Sequence, residues 1–311
     1  MIISASYKTD IPCFYGTWFM NRLQAGYCKM INPYSRQTYR ISLARQDVDG
    51  FIFWTKNLGP FIKNLPEVHR LGYPFVVQYT ITGYPRALEQ SVIEADQSVE
   101  HVRRVAAEFG PKTVVWRYDP ILLSSLTPLD VHVETFTRLA GRLEGAVDEV
   151  VLSFAHFYSK TKRNLALEAR RLGFTWEDPD DEAKRDLVRR CVEIAGSHGI
   201  RVAICSQNQY VTEGTRPARC VDAERLGAVA GRLIVAERRG NRPDCDCYAS
   251  KDIGEYDTCP HGCVYCYAVQ DKGLAQVRYR HHDPAGEFLF PPTGAAEPSP
   301  PAADGQLRFD L

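Results

Sequence analysis

The sequence predicts an α/β protein, a TIM-like full or partial (βα) barrel followed by a C-terminal cysteine-rich segment. Three observations predict it. Short apolar runs recur six times between Ile2 and Ile204, long enough for strands and too short for helices. Helical patterns separate most of them, the alternation that builds parallel βαβ units. Polar residues follow every run, as expected where the C-terminal rim of a barrel carries the chemistry.

The first run, Ile2 to Ser6, is followed by Tyr7-Lys8-Thr9-Asp10. Phe14 to Leu23 has a helical pattern that places Trp18, Phe19 and Leu23 on one face. The stretch to about Asp49 is irregular or a hairpin. Phe51-Ile-Phe-Trp54 ends in Thr55-Lys56-Asn57, and Phe75-Val-Val-Gln-Tyr79 ends in Thr80 and Thr82. Thr113-Val-Val-Trp116 runs into Arg117-Tyr118-Asp119-Pro120. Glu149-Val-Val-Leu152 is followed by Ser153 and His156, and Arg201-Val-Ala-Ile204 by Cys205-Ser206-Gln207. Helices are expected over about 92–109, 158–171, 181–198 and 221–234. The clearest helix starts with Thr127 as N-cap and Pro128 at the first helical position. Leu129, Val133, Phe136, Ala140 and Leu143 then share a face.

Residues 1–236 are therefore read as the barrel domain. Residues 237–282 form a helix-poor, cysteine-rich segment expected to pack on the barrel rim. Residues 283–311 are a Pro-, Gly- and Ala-rich tail expected to be disordered.

The 311 residues suffice for one large or two ordinary domains, and 44% apolar content supports a sizeable core. Net charge is zero, so no overall field draws the chain to nucleic acid or to an anionic membrane. The N-terminus lacks the basic region and cleavage site of a signal peptide. No apolar run approaches the roughly 18 residues of a membrane span. A cytoplasmic protein with no membrane partner is expected. In that reducing compartment the ten cysteines are thiols or metal ligands rather than disulfides.

Between Cys245 and Cys266 lie five of those ten cysteines. The densest motif is Cys259-Pro-His-Gly-Cys263-Val-Tyr-Cys266-Tyr. A short loop with this spacing lets three thiolates converge on one metal centre. Gly262 permits a tight bend, and Pro260 restricts the loop. Zinc is the competing ligand, because clustered cysteines bind it tightly. His261 reads as a loop residue beside the centre, and His281-His282 as solvated. Cys205, Cys220, Cys245 and Cys247 are candidates for a second site, a fully ligated [4Fe–4S] cluster or zinc. Cys205 and Cys220 also suit buried packing, the role expected of Cys13, Cys28 and Cys191.

Five stretches carry a resemblance to a known family. They are Ile3-Ser-Ala-Ser-x-x-Thr9-Asp10-Ile11-Pro12, Phe53-Trp-Thr-Lys56-Asn57, Thr80-x-Thr82-Gly83-Tyr84, Trp116-Arg-Tyr-Asp119-Pro120 and the segment from Cys245 to Ala268. With them the chain to about residue 270 resembles the bacterial domain-of-unknown-function family 1848. The order Cys-x3-Cys-x2-Cys, with an aromatic residue before the third cysteine, resembles the motif of radical S-adenosylmethionine (SAM) enzymes such as spore photoproduct lyase. In most of those enzymes the cysteines follow the first barrel strand. Here they stand at the C-terminus, as if the chain were permuted.

The second resemblance implies a [4Fe–4S] cluster held by Cys259, Cys263 and Cys266, with one iron open to SAM. The implied catalytic residues are Lys8, Asp10, Lys56, Arg117 and Asp119. Lys56, Arg117, Ser153 and Tyr265 are the implied cofactor-binding residues. The implied partners are SAM and an electron donor such as flavodoxin or ferredoxin. A nucleic acid substrate would use rim cations for phosphate and nearby Trp and Tyr rings for stacking. The alternative is a nucleic-acid-binding or redox-sensing protein whose iron–sulfur or zinc sites are structural. The tail end, Gln306 to Leu311, resembles a bacterial sliding-clamp-binding peptide.

Overall fold

Strands that are apolar on both faces are stable only where both faces are covered. The six runs meet that condition in a computed structural model of the chain, which describes residues 1–31 and 37–291. In chain order the strands are β1 (Ile2–Ala5), β2 (Tyr27–Ile31), β3 (Thr38–Ser42), β4 (Gly50–Thr55), β5 (Phe75–Thr80) and β6 (Val114–Ile121). They continue with β7 (Leu123–Ser124), β8 (Glu149–Phe154), β9 (Trp176–Glu177), β10 (Arg201–Ile204), β11 (Thr215–Pro217) and β12 (Ser250–Asp252). The helices are α1 (Ile11–Phe14), α2 (Gly16–Ala25), α3 (Gly59–Ile62), α4 (Leu65–Arg70) and α5 (Ala95–Phe109). After them come α6 (Leu129–Leu143), α7 (Ser159–Leu172), α8 (Asp181–Ser197), α9 (Ala223–Ala230) and α10 (Lys272–Arg280).

Eight strands form one sheet in the order β11-β10-β8-β6-β5-β4-β1-β12, and every pairing in it is parallel. The sheet runs from β11 at one edge to β12 at the other, and no ladder among the described residues joins those edges. Both edge strands escaped the sequence reading, because each is three residues long and β12 reads Ser-Lys-Asp, with no apolar run.

Side chains alternate between the two faces with period two. One face presents Phe51, Phe53, Phe75, Tyr79, Trp116 and Tyr118 to a core that includes Trp18 and Phe19 of α2 and Phe136 of α6. Full burial of such side chains contributes roughly 1.5–3 kcal/mol each. The other face carries Ile2, Ile52, Val76, Val115, Val151 and Ala203, covered by Leu226 of α9 and by Ile234. Two residues further along, this second face becomes polar at Ser4, Gln78, Arg117 and Ser153, all buried.

Helix α6 differs from the expectation. Its N-cap is Pro128, because the Thr127 hydroxyl instead donates to Leu122 O at 2.8 Å. Its buried face is His132, Phe136, Leu139, Ala140 and Leu143, with Leu129 exposed. Helix α10 lies in the stretch read as helix-poor, where the Asp271 carboxylate accepts from Leu274 N and caps it. His282 is not solvated: its ring packs 4.7 Å from that of Tyr15, and its Nδ1 lies 2.9 Å from Leu289 O.

The beginning of the predicted tail lies along α2. Trp18 Nε1 donates to Gly286 O at 3.0 Å, Asn21 to Pro284 O at 2.9 Å and Arg22 to Ala285 O at 2.9 Å. Leu289 is buried at the end of this contact. The Gln306–Leu311 segment lies outside the described residues. No helix among the described residues is long and apolar enough to cross a membrane.

Candidate metal centre at the C-terminal rim

The cysteine loop reaches the rim because β12 lies parallel to β1, with Ser4 opposite Asp252. Beyond β12, Ile253 N donates to Ser4 O at 3.0 Å. The chain then passes so close to Ser6 that a Cβ on Gly254 would meet its Oγ at 2.0 Å. Main-chain bonds pin the loop to residues 88–91: Val264 N donates to Leu88 O at 3.0 Å and Ser91 N to His261 O at 2.9 Å. Gly262 turns the loop at φ 73°, a conformation that favours glycine.

Cys263 is buried, and Cys259 and Cys266 are partly buried. Burial pushes all three thiols up, Cys259 to about 12. Ligation therefore has to displace their protons. At the loop, the ligand atoms of Asp10, Cys13 and His261 all lie within 4.8 Å of one another. Three soft thiolate donors on one enclosed loop suit a thiophilic metal centre.

Asp10 is the hub beneath the loop. Its carboxylate accepts from His261 Nε2 at 2.8 Å, Lys56 N at 2.7 Å, Thr55 Oγ1 at 3.1 Å and Cys13 N at 2.9 Å. The last bond caps α1. Cys13 stands beside Asp10 and close enough to Cys259 to raise its own pKa through their charges, after burial.

Lys56 forms an ion pair with Glu89 at 2.7 Å. Burial opposes the charge on Lys56, but Glu89 and the adjacent Cys263 outweigh it, and the pKa rises. Burial likewise opposes charge on Glu89, but Lys56, Tyr265 and Thr82 hold it below the usual carboxylate range. The Tyr265 hydroxyl donates to Glu89, and Thr82 Oγ1 donates to it at 2.8 Å.

A second network crosses the polar end of the sheet. Arg117 pairs with Asp119, which also accepts from Ser153 Oγ. Arg117 Nη1 further donates to Gln78 Oε1 at 3.2 Å and to Cys220 Sγ at 2.8 Å. Burial disfavours the charge on Asp119, but Arg117 and Ser153 overcome it and lower the pKa. The field of Asp119 also reaches Lys56 and Arg242.

Cys259, Cys263, Cys266, Asp10, Lys56 and Tyr265 thus gather at one centre. Arg117, Asp119, Ser153, Cys205 and Cys220 gather at a second, and Asp119 faces both. Lys8 stands aside, with Nζ 3.3 Å from Gly254 O and 3.6 Å from Asp252 Oδ1. Cys245 and Cys247 join Cys220 rather than the triad. The Cys245 thiol pKa is lowered to about 6, chiefly by its hydrogen bond with the Cys247 thiol. His156 Nε2 lies 3.4 Å from Gln207 Nε2, and burial lowers its pKa.

Sequence reasoning missed Glu89, Asp252, Gln78, Arg242 and the place of Cys13. Glu89 lies in an irregular segment with no pattern to flag it. The spacing of Asp10 and Cys13 across one helical turn is the signal that could have raised Cys13 above a packing role.

A parallel α/β sheet whose C-terminal rim carries a three-cysteine loop over buried ion pairs defines the class: an α/β protein with a candidate metal centre. The chain belongs to the family described as Domain of unknown function (DUF1848), whose profile matches residues 2–268. That span contains every cysteine of both sets. No curated protein is significantly similar to the chain.

Proposed function

We propose that the protein is an iron–sulfur enzyme of the radical SAM type on a partial (βα) barrel. One observation carries the reading. The cysteine loop follows the edge strand β12, which lies parallel to and beside β1. In space, β12 holds the place of a first strand and β1 that of a second. The C-terminal motif therefore occupies the position that follows the first barrel strand in most radical SAM enzymes, reached by permutation.

Cys259, Cys263 and Cys266 would hold a [4Fe–4S] cluster. Bound there, it would supply the one-electron reduction that cleaves the sulfonium of SAM to methionine and a 5′-deoxyadenosyl radical. Asp10 and His261 fix the loop. The Lys56–Glu89 pair places a cation and a hydrogen-bonded anion against Cys263. Asp119, held ionised by Arg117 and Ser153, is the acceptor for an ammonium or hydroxyl group of SAM or substrate. Val264, Tyr265 and Leu88 form an apolar wall that keeps water from the loop. Trp54, over which the Arg117 guanidinium lies at 5.1 Å, suits a substrate base or another planar group. The electron donor is a flavodoxin or ferredoxin.

One observation favours the second reading, a redox-sensing or nucleic-acid-binding protein with structural metal sites. The charge of Cys259 is felt at Cys13, and a fourth protein ligand there would close the open iron. The measurement that tests the cluster itself is iron and acid-labile sulfide in protein purified without oxygen, for the native chain and for Cys263→Ala. The enzyme reading requires iron and sulfide in equal amounts, lost in the variant. Zinc in their place, or a full cluster in Cys263→Ala, overturns it.

A further inference from the structure

Of the cysteines that the proposed function leaves unused, four come together from three separate parts of the chain. Cys205 directly follows β10, Cys220 lies between β11 and α9, and Cys245 and Cys247 lie on the segment that returns to β12. Cys205 Sγ and Cys220 Sγ are 3.6 Å apart. Cys220 contacts Cys247, and Cys247 contacts Cys245. The four sulfurs form one continuous run.

Two guanidinium groups face this run. Arg117 donates to Cys220 Sγ at 2.8 Å and Arg242 to Cys205 Sγ at 3.3 Å. Cationic donors are the neighbours that a dianionic tetrathiolate centre needs in a buried place, whereas inert packing thiols need none. The backbone is braced for the same geometry. Val221 N donates to Cys247 Sγ at 3.5 Å, and Tyr248 N donates to Val221 O at 2.9 Å. Asp246, between the two cysteines, is clamped from outside by Arg219 and Arg238. Gly240 lets the segment close on itself, since a Cβ there would meet Cys245 O at 2.2 Å.

We propose that Cys205, Cys220, Cys245 and Cys247 bind one thiophilic divalent ion of the zinc type. The site is closed and structural, and it does not depend on how the triad is loaded. The Cys205–Cys220 pair guides the choice of metal. Tetrahedral zinc places its sulfurs about 3.8 Å apart, close to the 3.6 Å between Cys205 and Cys220. Four thiolates on separate irons of a cube would have to spread. Binding releases the thiol protons to solvent and draws the Cys245 end of the run inward. It ties residues 245–247 to the C-terminal ends of β10 and β11, and so fixes the approach to β12 and the triad loop.

The test uses the full chain with Cys259, Cys263 and Cys266 replaced by Ala, so that iron bound by the triad is removed. Elemental analysis after anaerobic purification is expected to find one zinc per chain, lost when Cys245→Ser or Cys205→Ser is added. Zinc-edge X-ray absorption on the unsubstituted protein, which needs no variant to fold, is expected to give four sulfurs at about 2.3 Å. Iron with sulfide in the triad-free chain, a Cys205–Cys220 disulfide without metal, or zinc undiminished in both serine variants overturns the proposal. Each of these results leaves the reading of the triad intact.

Discussion

Asp10 Oδ2 accepts a hydrogen bond from His261 Nε2 at 2.8 Å, across 251 residues of sequence. The contact joins the turn after β1 to the middle of the cysteine loop. The same carboxylate also holds Lys56 N and caps α1, so Asp10 braces three segments at once.

Asp10→Asn keeps an amide oxygen for the α1 cap but removes the charge opposite His261. Partners behind metal ligands typically contribute 10–100-fold to metal affinity. Iron retention against a chelator is expected to fall by about that factor, with unchanged far-ultraviolet circular dichroism. Equal retention in the variant would remove Asp10 from the support of the loop.

The Lys56–Glu89 pair predicts non-additive stability. Lys56→Met leaves Glu89 buried without its cation, which costs about 3–5 kcal/mol. Adding Glu89→Gln removes the stranded charge and is expected to restore part of that loss in urea unfolding. A double variant less stable than Lys56→Met would contradict the pairing.

His132 gives the fold a pH dependence. Its ring lies between Tyr118 Oη at 2.8 Å and Leu122 O at 3.1 Å, and burial lowers its pKa to about 4. A histidine depressed in the folded state binds its proton more readily when unfolded, so stability rises with pH between about 4 and 6.5. Acidifying from pH 7 to pH 5 is expected to remove about 2 kcal/mol through this group. The native chain should lose that much more than His132→Gln over the same interval. Parallel pH profiles would show that His132 carries none of it.

Cys13 separates the two functional readings. With three ligands and an open iron, Cys13→Ala keeps its iron and its spectrum. If Cys13 is a fourth ligand, the variant loses iron or converts to a three-iron form, and the open-iron account fails.

The large parallel sheet was legible because buried parallel strands are continuous apolar runs. Phe75–Thr80 and Arg201–Ile204 stand where the runs placed them. The edges were not legible, since an edge strand needs no apolar run: β12 is recognisable only through its pairing with β1. At the site, the cysteines were visible by spacing, and Lys56, Arg117 and Asp119 by their place after strands. Glu89, Asp252 and Arg242 were invisible, because their importance comes from partners distant in sequence. Cys13 was assigned to packing for the same reason, as no local pattern reports its approach to Cys259.

The central claim is that the triad's cluster leaves an iron open to SAM. The most direct test is electron paramagnetic resonance of the anaerobically reconstituted, reduced protein before and after SAM is added, with 5′-deoxyadenosine measured in the same sample. The account predicts a cluster signal that changes on adding SAM, with 5′-deoxyadenosine formed, and neither in Cys263→Ala. A reduced cluster whose signal is unmoved by SAM, with no 5′-deoxyadenosine, would contradict it.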